Sequence, residues 1–173
     1  MNSVENLLKD FIAAVGRENE VLADLAEIGE QKRQYIILGE IKQLDSLIQK
    51  EGIVLTNLER LEGARFKLQQ ELAKIWGLPV GDLVASEMLK RVKEQYGNYS
   101  ADFSQCIEQL DYNLTRLKAI NTNNHGLLEQ SLEFIATMES MIIGDVAGTY
   151  SGSGDKTDEK DLRGSRNLLD KKI

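Results

Sequence analysis

Few side chains in this sequence carry the chemistry of a catalyst. The one histidine, His125, stands in Asn121-Thr122-Asn123-Asn124-His125-Gly126, with no serine or cysteine motif beside it. A nucleophile needs an adjacent base, so this residue reads as a surface or interface histidine. The one cysteine, Cys106, lies beside Ile107 on an apolar helical face and reads as a small buried thiol. Glu59, Glu62 and Glu71 follow helical spacing and read as a solvated face. The run Gly148-Thr149-Tyr150-Ser151-Gly152-Ser153-Gly154 lacks the Lys-Ser/Thr pair and following helix of a phosphate loop. By composition it is a flexible connector. A single histidine also removes most zinc sites and the paired Glu-x-x-His motifs of di-iron bundles. The expectation is no enzyme, no catalytic residue, no metal and no cofactor.

The elements that position these residues are helices. Val4, Leu8, Phe11, Val15, Leu22 and Leu25 step by three and four, with Ser3 as a candidate N-cap and Glu5 in the first turn. In the next segment Leu47, Val54, Leu61, Leu68 and Ile75 recur every seventh residue, with Leu44, Leu58 and Leu72 on the companion track. Glu51 and Arg65 interrupt that track, so the seam is not a clean zipper. Ile41, Ile48 and Leu55 are expected to widen the buried stripe, because a bundle helix needs more than two apolar columns. In the last long segment Phe103, Ile107, Leu110, Leu114, Leu117, Leu128, Ile135, Met138 and Ile142 share a face. Asn121 and Asn124 sit in that face, where polar residues fix register.

The only proline lies in Gly77-Leu78-Pro79-Val80-Gly81, a break. Leu38-Gly39 interrupts the first helical pattern, and Tyr96-Gly97-Asn98-Tyr99 reads as a turn. Helices are therefore predicted over 3–37, 40–76, 82–93 and 100–143, the third capped by Asp82. No segment alternates as a strand would. Helices this long must pack on one another, and short connections force antiparallel neighbours. The predicted fold is all-α: an elongated antiparallel three-helix bundle with coiled-coil character, a short helical insert and a flexible C-terminal tail. Leu47, Leu58, Leu61, Leu68, Leu114, Leu117 and Leu128 are its expected core. Gly16, Gly29, Gly52 and Gly63 fall inside helices, either where helices approach closely or as tolerated surface positions.

The 173 residues hold 21 Lys+Arg against 28 Asp+Glu, a net charge of −7, which disfavours nucleic acid and anionic membranes. The opening Met1-Asn2-Ser3-Val4-Glu5 has no signal-peptide character, and Ile36-Ile37-Leu38 is far too short to insert in a membrane. A cytoplasmic protein is expected. Its domains are a helical bundle over 1–143 and a flexible tail over 144–173. Acidic and basic residues balance in that tail, so the net charge belongs to the bundle. After Val146 its large aliphatics are Leu162, Leu168, Leu169 and Ile173, of which Leu162, Leu169 and Ile173 share a helical face. Such a segment suits folding on binding, although an inert tail fits the composition too.

The order of parts resembles the FlgN family of flagellar export chaperones. The likeness is carried by Tyr35-Ile36-Ile37-Leu38-Gly39-Glu40-Ile41, by Leu58-Glu59-Arg60-Leu61-Glu62-Gly63-Ala64-Arg65, and by the stretch from Asn121 through Leu127-Leu128 to Ile135. A tyrosine-then-glycine element, Tyr150-Ser151-Gly152, follows the last helix. The resemblance implies a chaperone that binds hook–filament junction (hook-associated) proteins and delivers them to the flagellar type III export machine. It implies that Tyr150 docks on the export gate, while Leu162, Leu168, Leu169 and Ile173 are the expected client contacts. The other class that fits the residues is a structural coiled-coil adaptor or assembly protein using the outer helix faces.

Overall fold

A computed structural model describes residues 3–143; within 131–143 it describes the helical backbone and some of the side chains. Four helices form: α1 over Val4–Leu38, α2 over Ile41–Trp76, α3 over Ala85–Gln95 and α4 over Ser100–Ile143. Two short 3-10 turns, Val80–Asp82 and Gly97–Tyr99, flank α3, and no strand occurs among the described residues.

The ends of these helices have local causes. The Ser3 hydroxyl accepts the Asn6 amide at 3.3 Å, satisfying one of the unpaired donors of the first turn of α1. Gly39 (φ 69°) and Gly77 (φ 66°) adopt the left-handed conformation that stops α1 and α2. At each, the next residue's amide reaches back to the last turn, Glu40 to the Tyr35 carbonyl at 2.9 Å and Leu78 to the Ala73 carbonyl at 3.0 Å.

The third helix begins later than its sequence suggests. Asp82 does not cap it. Asp82 instead closes the 3-10 turn by donating to the Pro79 carbonyl, and Val84 is extended before Ala85. The intervening Leu83 is drawn fully into the core, with its carbonyl held by Gln69 Nε2 at 2.9 Å.

The chain divides into Met1–Gln130 and Ser131–Ile173; of the second, α4 is described to Ile143. Within the first unit, Glu18 meets Arg65 and Lys32 meets Glu51, so α1 and α2 run antiparallel. Asn19 meets Asn113 and Gly29 meets Asn124, so α4 runs parallel to α1. One core joins Leu7, Leu8, Phe11 and Val15 of α1 to Leu72 of α2, Leu83, Met88 and Val92 around α3, and Phe103 of α4. The Phe11 and Phe103 rings stack there, 5.9 Å between centroids. A second cluster sets Val21, Leu22 and Leu25 against Leu117, with Val54, Leu55, Leu58 and Leu61 packed around them.

Of the expected core, Leu47 and Leu117 are buried, and Leu58, Leu61, Leu68 and Leu128 are half-buried. Leu114 is not a core residue: it is 47% exposed, because its neighbour Asn113 takes the inward place. Ile75, the last of the heptad column, is also exposed. A seven-residue column drifts about 20° per heptad on a straight helix, so by Ile75 the column has turned away and Leu72 holds the buried position.

Candidate functional site

Most polar side chains inside the bundle are engaged in holding it together, the Trp76 indole N–H being buried without a hydrogen-bond partner among the described residues. Glu51 and Arg65, the two charges that break the apolar track of α2, each reach across to α1. Lys32 Nζ lies 2.8 Å from a Glu51 carboxylate oxygen, and Arg65 Nε donates to Glu18 at 3.1 Å. Arg65 also donates to Gln69 at 2.8 Å, which extends the network to the Leu83 carbonyl. The Glu18 side chain is 5% exposed, and this burial raises its pKa above the ordinary carboxyl value even though Arg65 pulls it down.

Between α1 and α4 the polar side-chain contacts are made by neutral amides. Asn113 Nδ2 donates to the Asn19 side chain at 3.1 Å, Asn19 Nδ2 donates to the Cys106 carbonyl at 3.1 Å, and Asn124 Nδ2 donates to the Gly29 carbonyl at 2.9 Å. Asn124 is buried as its place in the apolar face predicts, whereas Asn121 is half-buried. Glu18, Asn19 and Asn113 escape a reading by hydrophobicity because they are polar. Their positions are nonetheless the missing steps between Val15 and Leu22 and between Leu110 and Leu117, which is the signal that marks them.

Cys106 donates its thiol hydrogen to the Phe103 carbonyl at 3.2 Å, and burial pushes its pKa up to about 11, so it stays a thiol at neutral pH. His125 is exposed, with Nε2 3.4 Å from Glu129 one turn on. Glu59, Glu62 and Glu71 are exposed. Among the described residues no group of three His, Cys, Asp or Glu side chains could hold a metal ion. Tyr150, Leu162, Leu168, Leu169 and Ile173 lie outside the described residues.

Apolar side chains directed to solvent are the distinctive surface feature. Ile37 and Leu38 close α1 at 57% and 65% exposure, and Ile41 opens α2 at 76%. Ile48 and Phe66 continue along α2, both exposed. Ile41 and Ile48 therefore do not widen the buried stripe. The α1–α2 seam is filled by Leu47, Val54, Leu61 and Leu72, about 100° away on the helix wheel, and only Leu55 of the third column turns far enough to join the core. On the last turns of α4, Leu132, Met138 and Met141 are exposed. This arrangement lends itself to binding apolar segments of other proteins.

A family model described as "FlgN protein" matches residues 1–158, from α1 through all four helices to beyond Tyr150, and stops short of Leu162. No curated protein and no solved structure matches the chain.

Proposed function

The chain belongs to the FlgN family of flagellar export chaperones, and from that premise we propose that it binds hook–filament junction (hook-associated) proteins in the cytoplasm and delivers them to the flagellar type III export machine. The family match along the whole helical bundle is the observation that carries this reading. A chaperone of export substrates needs to cover apolar helical segments of a subunit before assembly, and the exposed aliphatic and methionine side chains of α2 and α4 suit that task. The buried Glu18, Asn19, Asn113 and Asn124 are taken up in fixing helix register, which fits a binding scaffold. No helix among the described residues is long and apolar enough to cross a membrane.

Two parts are assigned to the C-terminal segment. Leu162, Leu168, Leu169 and Ile173 hold an apolar helix of the client by folding on it. Tyr150 docks on the export gate, where a tyrosine ring fills an apolar pocket and sets its hydroxyl on the rim. Replacing Leu162, Leu169 and Ile173 with Ser tests the client assignment: affinity for a purified hook-associated protein should fall while the melting temperature stays the same. Unchanged affinity by titration calorimetry would remove these residues from the client site.

A further inference from the structure

We propose that the outward face of α2 between Ile41 and Phe66 seats an amphipathic helix of the client whose apolar column is flanked by lysine or arginine. This assignment rests on the reading of the chain as an export chaperone, and it places a client contact on the bundle itself, separate from the C-terminal segment.

Three features converge on this face. At about 100° per residue, Ile41, Ile48, Glu59 and Phe66 fall in one column away from the seam that meets α1, with Leu55 on its inner edge, half-buried against the core. Ile41, Ile48 and Phe66 are 76%, 44% and 43% exposed. Gly52 and Gly63 lie beside that column, three helical turns apart. A Cβ at either would meet no atom within 4 Å, whereas at Gly29 the missing Cβ makes room for Ile120. Glycine weakens a helix relative to alanine, and at Gly52 and Gly63 nothing in the bundle uses the space. Both gaps lie between the projecting Ile48 and Phe66, a recess that knobs of an approaching helix would enter.

Charge then selects the partner. Asp45, Glu59 and Glu62 are exposed on or beside this column, and Glu62 stays 66% exposed although Arg65 lies 3.8 Å away. Of the basic residues, Lys42, Arg60 and the adjacent Lys67 project about a quarter-turn round the helix, Lys50 lies on the opposite side, and Arg65 is turned to Glu18 of α1. An acidic margin on an apolar column favours a helix with basic flanks. It disfavours a second copy of this chain, which would oppose the same carboxylates across a two-fold axis on a protein of net charge −7.

The test uses the full chain and two variants. Gly52→Leu/Gly63→Leu fills the gaps with a residue that favours helix, and Ile48→Ser/Phe66→Ser removes the projections. Each is titrated with a purified hook-associated protein and with two synthetic amphipathic peptides of one leucine pattern, one lysine-flanked and one glutamate-flanked. The wild-type chain should bind the lysine peptide at least about tenfold more tightly than the glutamate peptide, and each variant should lose about tenfold for both the lysine peptide and the hook-associated protein. Circular dichroism should show both variants fully helical. Wild-type affinity for the lysine peptide in either variant, or equal affinity of the wild type for the two peptides, overturns the proposal. So does a wild-type chain that binds the hook-associated protein and variants that bind it equally well. A wild-type chain that ignores the hook-associated protein, with lysine-peptide binding still lost in the variants, supports the face as a helix seat and contradicts the chaperone reading instead.

Discussion

Ile120 of α4 lies directly over Gly29 of α1: a Cβ added at residue 29 would stand 2.5 Å from the Ile120 Cγ2. The Gly29 carbonyl also accepts the Asn124 amide at 2.9 Å, so one glycine sets both the spacing and the register of two parallel helices. Gly29→Ala should therefore destabilise the bundle by about 1–2 kcal/mol, the overpacking cost outweighing the gain in helix propensity. Gly52→Ala, with open space around it, should stabilise by about 0.5–1 kcal/mol. Urea unfolding of the two variants should give shifts of opposite sign; shifts of the same sign would mean that α1 and α4 do not meet at Gly29.

The second lock between α1 and α4 is Asn113, which is 3% exposed, donates to Asn19 and accepts from Gln109 at 3.2 Å. Asn113→Ala leaves the buried Asn19 amide with fewer partners and should cost about 1–3 kcal/mol. A loss below about 0.5 kcal/mol in denaturant titration would show that water replaces the pair at no penalty.

Glu18 gives the bundle a pH signature. Burial holds its folded pKa above its unfolded value, so the folded chain takes up this proton more readily than the unfolded one. Its contribution is fully present below the unfolded carboxyl value of 4.5 and is lost as pH rises through the folded value. Relative to Glu18→Gln, the wild-type chain should therefore gain melting temperature as pH falls from neutral toward 4.5, with no further gain below. A difference independent of pH would show that the Arg65 contact fully offsets burial.

The long helices and the glycine breaks between them are legible because apolar period and glycine chemistry are local properties, whereas the late start of α3 depends on Leu83 entering the core. Ser3, Gly39 and Gly77 cap or stop helices through their own side-chain or backbone freedom. What escaped depended on partners far along the chain. Glu51 and Arg65 read as flaws in a zipper until Lys32 and Glu18 of α1 stand opposite them. Leu114 reads as core until Asn19, far away in sequence, draws the neighbouring Asn113 inward. Ile41 and Ile48 share the period of the seam, and only the packed bundle distinguishes a column that meets α1 from one that meets solvent. Of the interaction surface, the sequence displayed the apolar residues but not which of them the fold leaves uncovered.

The docking role proposed for Tyr150 is tested apart from stability. Tyr150→Ala should abolish gate binding and motility while leaving client affinity and melting temperature unchanged. Normal gate binding by this variant, or a lowered melting temperature as its main effect, would contradict a docking role.

The chaperone function is tested most directly by titrating the full chain into a purified hook–filament junction protein while following client aggregation by light scattering. A saturable complex that keeps the client soluble is the predicted result. No complex, or a client that aggregates equally with and without the chain, would contradict it.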